Sequence, residues 1–456
     1  MPRDMSVGRD MSDDAICGGA ARYALRRGGW EEEQETTNRQ EQWLEYLQAV
    51  KGEFIKLARL EFLLPDGQVG YVIDNNPLNK RSGTFIQSGV LSVNLQNGQR
   101  RTAQITLANT DGEYEFNVNK AWFGNMVRLE EGLILPDGEA FYLPQGVFYI
   151  KDPEETLKPN QRTVQWNLVD KWSYLDGTLF GNLDGIYEVP SGSNIFHVIQ
   201  SILNMERGNG LVIDPMPPIF TDYYNGKTQE TESGGVSPLT STPYRYRAES
   251  AGSNYANIVL EMNTMLAGWI GYDCNGQLRL DASQDDVDDK DKPVVWEFTP
   301  VRKQFMGATA TVKNSEMYND VIIEGQNLSG YGICGGRAVN MDPRSDTNIM
   351  ILGRKLKREA QNGYYSPTIC ESLAKFKLKR YTTLQKEIRI SSSQIFHIQE
   401  NNLVTIRRPD KDGMPLERHL ITGFERNIAQ NGDMTITATS VNDYPDVTTE
   451  VYGGAT

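Results

Sequence analysis

Residues 101–114 read RTAQITLANTDGEY. Ala103, Ile105 and Leu107 alternate with Thr102, Gln104 and Thr106, the period of a strand with one buried face. Asn109-Thr110-Asp111-Gly112 then supplies turn chemistry. WFG follows at 122–124 and GVFYI at 146–150. The block is strand, turn and further strand, with no catalytic residue set inside it.

Outward from this block the same pattern continues. From Lys56, the residues Ala58, Leu60, Phe62 and Leu64 share one face, Arg59 and Glu61 take the other, and Pro65-Asp66-Gly67 makes a turn. Leu91, Val93 and Leu95 alternate before an Asn97-Gly98 turn. Further strands are expected at Met126–Leu129, Gly146–Ile150 and Thr163–Val169, with Pro136-Asp137-Gly138 as a turn. Turn signals about every ten residues predict an antiparallel barrel or sandwich over 55–175. Upstream, residues 1–38 are polar and read as a flexible arm. A helix from Gln40 places Trp43, Tyr46, Leu47 and Val50 on one stripe, expected to pack on the chain's own core.

Downstream the character changes. Ser193 is expected to cap a helix striped by Ile195, Ile199, Ile202 and Leu203. Residues 222–253 form a long polar segment. Ser253 precedes a second helix carrying Tyr255, Ile258, Val259, Met262 and Leu266, which runs into an Asn275-Gly276 hairpin. Strand character returns at Asn319–Ile323. Ser366-Pro367 opens a helix with Ile369, Leu373 and Phe376 on its buried side. Strands at 385–391 and 403–407 precede an Asn431-Gly432 hairpin that joins Ile421–Ile428 to Met434–Ala438.

At 456 residues the chain can bury several cores. Its formal net charge of −14 opposes a nucleic-acid-gripping surface and suits a conduit lining that repels DNA. Cys17, Cys274, Cys334 and Cys370 are widely spaced with no CxxC pair, so free thiols are expected, as in a reducing cytoplasm, rather than a disulfide framework or a zinc knuckle. MPRDMSVGRDMSDD at the N-terminus lacks the apolar region of a signal peptide. No run approaches the roughly 18 apolar residues of a membrane span.

The candidate chemistry is thin. His197, His397 and His419 read as structural histidines. Gly330, Gly332 and Gly335 fit GxGxxG, but the residues after them, running into Pro343, have no helical stripe to receive a pyrophosphate, so a glycine-rich surface loop is expected. Gly226-Lys227-Thr228 ends like a phosphate loop, but Thr221 stands where the first glycine belongs. Asp285, Asp286, Asp288, Asp289 and Asp291 break the calcium-loop pattern and read as a solvated turn. Asp111 and Glu113 form a carboxylate pair of the kind a glycosidase uses, yet 60 acidic residues offer many such pairs. No residue is therefore assigned a catalytic, cofactor-binding or metal-binding role, no cofactor is expected, and the protein is not expected to be an enzyme.

The order of elements resembles the baseplate and tail hub proteins of contractile and related long-tailed phages. RTAQITLANTDGEY, WFG, MVRLEEG, QGVFYI and WNLVDKWSYLDG are similar to their first domain. YANIVLEMNTMLAGWIGYDCNGQLRL looks like their helix-before-hairpin segment. NDVIIEGQN, SPTICESLAKFKLKRY, NNLVTIRRP and ITGFERNIAQNGDMTITATS are similar to their second barrel with its helix. The resemblance covers roughly 55–445. It implies a mainly β fold with α+β insertions, built as two tandem tail-tube-like antiparallel β-barrels flanking a helix-containing middle. The expected divisions are an arm and helix at 1–54, a first barrel at 55–180, a middle region at 181–315, a second barrel with helix 366–380 at 316–445, and a tail at 446–456. The implied function is a structural virion protein: a homotrimeric, pseudo-six-fold hub joining the tail tube to a central spike or fibre around the DNA channel. The implied partners are the tail tube or distal tail protein, the spike or fibre and the tape-measure protein, with DNA passing unbound and no membrane-spanning segment. The expected location is the virion, after synthesis in the host cytoplasm. Two alternatives are a hexameric distal tail ring or adaptor, and a carbohydrate-active cell-wall enzyme.

Overall fold

The computed structural model describes residues 31–452 except 65–66, 80–82, 116–125, 159–160, 209, 231–235, 250–251, 283–292, 300–304, 313–316, 327–332, 361–366, 383–385, 408–415 and 442–446. WFG at 122–124, Cys17, Gly330, Gly332 and the acidic cluster at 285–291 thus lie outside the described residues. The fold is mainly β, with antiparallel pairing dominant and helices inserted between strands.

The first β block holds seven strands: β1 (Lys56–Leu63), β2 (Val69–Asp74), β3 (Thr84–Asn94), β4 (Arg101–Asn109), β5 (Met126–Ile134), β6 (Ala140–Lys158) and β7 (Gln161–Asp170). α1 (Glu31–Ala49) precedes it. The middle region contains β8 (Tyr187–Val189), α2 (Ile195–Leu203), β9 (Ile219–Phe220), β10 (Thr228–Glu230), β11 (Val236–Pro238), β12 (Tyr246–Ala248), α3 (Tyr255–Leu266), β13 (Gly268–Tyr272) and β14 (Leu278–Ala282). The remainder contains β15 (Val294–Phe298), β16 (Phe305–Val312), β17 (Asp320–Gln326), β18 (Ile333–Asn340), α4 (Ile349–Leu352), β19 (Leu356–Ala360), α5 (Pro367–Thr382), β20 (Lys386–Ser392), β21 (Leu403–Ile406), β22 (Glu417–Ile428), β23 (Met434–Ser440) and β24 (Val447–Tyr452).

One 13-stranded sheet spans the N- and C-terminal β blocks, in the order β16-β20-β23-β22-β3-β4-β7-β6-β5-β1-β2, with β21 on β22 and β15 on β21. The junction is β22 against β3, with Glu425 opposite Ser92 and Phe424 opposite Val93. The Arg101–Asn109 strand is thereby tied, through β3 and β22, to the MTITATS strand more than three hundred residues away. Leu91, Val93, Ile105, Leu107, Val164 and Trp166 from the first block share one core with Ile388, Ile390, Phe424, Ile428 and Ile436 from the last. Removing such side chains from water supplies most of the driving force, about 1.5–3 kcal/mol for each fully buried one.

The second core gathers α2, α3, the β13–β14 hairpin, strands β17 and β18, and α5. α5 packs on the four-stranded sheet β19-β17-β18-β24. The expected unit 316–445 therefore contributes to both cores. The approach of α5 to β18 is close enough to demand glycine: a Cβ on Gly336 would lie 2.2 Å from the Glu371 backbone nitrogen. Gly335 and Gly336 stand inside β18, which pairs with β17 and β24. The described part of the glycine-rich stretch is thus a strand rather than the expected surface loop, because these glycines let a helix lie on the sheet. Within the polar segment 222–253, β10 pairs with β11 and β12 pairs with β8.

The first helix packs on its own chain, as its stripe predicts. Tyr46 and Val50 are fully buried. The Tyr46 ring lies 5.2 Å from Phe141, and its hydroxyl accepts from the backbone N–H of Phe396 at 3.1 Å and of His397 at 3.3 Å. The helix thus touches both β blocks where they meet. The helix caps fall one residue later than predicted. Asn194 and Asn254, not Ser193 and Ser253, accept the backbone N–H groups of His197 and Asn257. Cys334 and Cys370 are free and buried, whereas Cys274 is disulfide-bonded, contrary to the expectation of free thiols.

Candidate assembly surface

The chemistry expected of an active site does not gather. His197 is exposed on α2, while His397 and His419 are buried at separate places. Burial pushes the His397 imidazole down to about 3, so it is neutral at ordinary pH. Asp111 accepts from the Thr84 hydroxyl at 2.8 Å beside the turn after β4. Lys227, from the phosphate-loop-like tripeptide, lies over the Tyr223 ring. Among the described residues, no group of three His, Cys, Asp or Glu side chains is placed to hold a metal ion. Likewise among the described residues, no helix is long and apolar enough to cross a membrane.

The sheet itself forms the notable surface. Eight strands, β16-β20-β23-β22-β3-β4-β7-β6, run edge to edge across both blocks. Their inward residues build the first core, so period-two geometry turns the alternate residues outward. The register aligns these in rows. One row runs Ser391, Thr435, Glu425, Ser92 and Thr102 and ends at Val169, which packs against the second core. The next runs Asn427, Val90, Gln104, Asn167 and Lys151. Gln104 donates to Asn167 Oδ1 at 3.1 Å across the β4–β7 pair. The face is chiefly hydroxyl and amide. Glu387, Glu425 and Glu154 are offset by Arg389 and Lys151, and Arg389 sits 3.5 Å from Glu387. The charges on this face nearly balance, so the chain's net charge of −14 is carried elsewhere on the molecule.

A buried polar seam fixes the two blocks relative to each other behind this face. Arg426 on β22 donates to Glu131 on β5 at 2.7 Å, to the Ile395 carbonyl at 3.1 Å and to Gln145. Lys56 on β1 meets the other Glu131 oxygen at 3.0 Å and donates to Gln394 and the Asn427 carbonyl. Arg101 on β4 donates to the Gln145 carbonyl at 3.0 Å, to Gln399 at 2.9 Å and to Glu400. Glu131 is fully buried and Arg426 and Arg101 each expose about 1%. Burial works against the charge on Glu131, but Arg426 and Lys56 together hold its carboxyl below the usual carboxylate range. Bonds of this kind are directional, so they set register where apolar packing alone tolerates slippage. These residues carry no recognisable motif. The signal was present, since Arg101 is in phase with Ala103, Ile105 and Leu107, Glu131 with Leu129 and Leu133, and Lys56 with Ala58 and Leu60. A charge on the apolar phase of a strand marks a partner across the core.

Among the described residues, both ends of the eight-strand face carry backbone with no strand partner. β16 pairs only with β20 among the described strands, and Ala308, Thr309, Ala310 and Thr311 are all exposed. At the far end, β6 pairs with β5 as far as Tyr149, and among the described pairings its outer half, beyond Tyr149, bonds only to β7.

No protein-family model matches this sequence, and no curated protein sequence matches it either. Solved structures do. The tail protein from Neisseria meningitidis MC58 superposes with a TM-score of 0.51 at 10% identity, covering 84% of this chain and 96% of that one. The 43 kDa tail protein of prophage MuSo2 from Shewanella oneidensis gives a TM-score of 0.51 at 10% identity, covering 84% of this chain and 98% of that one. At such identity the likeness is one of fold. The chain has the fold of these tail proteins, over 84% of its own length and 96–98% of theirs.

Proposed function

We propose that the chain is a structural subunit of a phage tail tip, a hub in which three copies form a ring around the DNA channel. The observation that carries this reading is the polar eight-strand face shared by two β blocks of one chain. Each subunit brings two side-by-side blocks, so three subunits supply a six-fold-like wall to a hexameric tail tube and three-fold symmetry to a spike or fibre. The open edge of β16 in one copy pairs with the outer half of β6 in the next, which removes both exposed edges and closes the ring. A lining of Thr, Ser, Asn and Gln offers passing DNA no clustered cations to hold its phosphates. In this role the protein resides in the virion, with the tail tube and a tape-measure protein above it and the spike or fibre below. It acts by assembly rather than by turnover.

The test is assembly measured on an edge variant. Thr309→Pro and Ala310→Lys on β16 block backbone pairing at an edge that makes few internal contacts. The wild-type chain is expected to give a trimer by native mass spectrometry in the presence of the tail-tube protein, and the variants a folded monomer. Trimers of unchanged stability in both variants refute the edge pairing.

A further inference from the structure

The first β block carries a second feature on another side. β2 returns alongside β3, yet among the described residues β2 pairs only with β1. The seam between them holds a cleft of about 720 Å³. Tyr71, Phe85 and Tyr142 line its walls together with Glu113, Glu139 and Asn79, whose amide nitrogen donates to Asp74. The rings are held in place. Tyr71 stacks on Phe62 with centroids 4.0 Å apart and planes 15° from parallel, and the Arg59 guanidinium lies 4.2 Å from the Tyr142 ring centre. Tyr71 remains 36% exposed on the edge of the cleft. Arg59 is already engaged with Glu130 at 2.5 Å and Glu61 at 3.0 Å. The charge left facing the cleft is therefore that of the exposed carboxylates.

Rigid rings with polar rims suit a ligand that has one apolar face and many hydroxyls. Pyranose rings have that form: axial C–H bonds lie on aromatic faces, and paired hydroxyls match the two oxygens of a carboxylate or the two ends of an amide. Negative charge disfavours uronic acids, sialic acids and phosphates. We infer that this cleft binds a neutral oligosaccharide, stacked on Tyr71 and Tyr142 and hydrogen-bonded by Asn79, Glu113 and Glu139. The site lies apart from the polar sheet face and does not depend on ring formation.

The test uses the purified full chain, with saturation-transfer NMR and titration calorimetry against chitotetraose, maltotetraose and tetragalacturonate. One neutral tetrasaccharide is expected to bind, with saturation transferred to its ring C–H protons, and the anionic one is not. Tyr142→Ala and Tyr71→Ala are each expected to weaken binding by about tenfold, the scale of one lost ring contact, while Tyr142→Phe, which keeps the ring, binds as wild type. Circular dichroism confirms that each variant is folded. The inference is overturned if neither neutral sugar binds at millimolar concentration, if tetragalacturonate binds more tightly, or if a folded Tyr71→Ala/Tyr142→Ala double variant keeps full affinity.

Discussion

Replacing Glu131 by Gln removes one negative charge from a fully buried site and leaves Lys56 and Arg426 beside each other without their counter-ion. Glu131 meets Lys56 at 3.0 Å and Arg426 at 2.7 Å, and it exposes none of its surface. Breaking a buried ion pair by removing one partner costs about 3–5 kcal/mol, chiefly because the survivors remain desolvated and unpaired. At about 2 °C per kcal/mol for a large core, the main transition should fall by roughly 6–10 °C in scanning calorimetry. Replacing all three residues together, Lys56→Met, Glu131→Leu and Arg426→Met, removes the desolvation cost along with the attraction and should be far milder than Glu131→Gln alone. The pH dependence follows with its sign. The folded carboxyl of Glu131 is held low, so its stabilisation is complete above the unfolded value of about 4.3 and is lost as pH falls through the depressed folded value. Glu131→Gln should flatten this acid limb. A cost below about 1 kcal/mol for Glu131→Gln, or a triple variant as unstable as the single one, refutes the account of the seam as a charge-balanced clamp.

Other variants probe separate links. Tyr46→Ala empties a site shared by both blocks and loses a hydroxyl that accepts two backbone N–H groups; a loss of about 3–5 kcal/mol in urea denaturation is expected. His397 is neutral in the fold because burial lowers its pKa to about 3, so the unfolded chain binds more protons below the unfolded value of about 6.5. Stability should then fall by about 1.4 kcal/mol per unit as pH drops below 6.5, and a His397→Gln variant followed by calorimetry should lose that slope. Gly336→Ala forces α5 off β18, because the new Cβ would meet Glu371 backbone at 2.2 Å; a destabilisation of about 1–3 kcal/mol confined to the second core is expected by hydrogen exchange.

Much of the β architecture was legible because period-two alternation is a local property. Ala103, Ile105 and Leu107 announce their strand whatever they pair with, and Met434, Ile436 and Ala438 do the same. The tail-hub resemblance rested on the order of such pieces, and the fold agrees with it. The pairing of β3 with β22 was beyond local reading, because no residue in either strand names a partner over three hundred positions away. The placement of α5 escaped for a related reason. Its stripe of Ile369 and Leu373 shows that it is buried, but not that it lies on β17, β18 and β24. The caps missed by one residue because Ser and Asn both accept N–H groups at a helix start, and SN occurs at both sites. The seam charges were readable in principle: Arg101, Glu131 and Lys56 break their strands' apolar phase. The near balance of charge on the sheet face was not legible, since a net charge of −14 summed over the chain says nothing of where the carboxylates sit.

In the proposed hub, three copies of this chain close a ring with the polar sheet face turned inward. Cryo-electron microscopy of tails that carry the protein tests it most directly. Three copies are expected at the tail tip, with Gln104, Asn167 and Thr435 lining the channel and β16 of each copy alongside β6 of its neighbour. Six copies in the ring, or the same face turned outward, would contradict it.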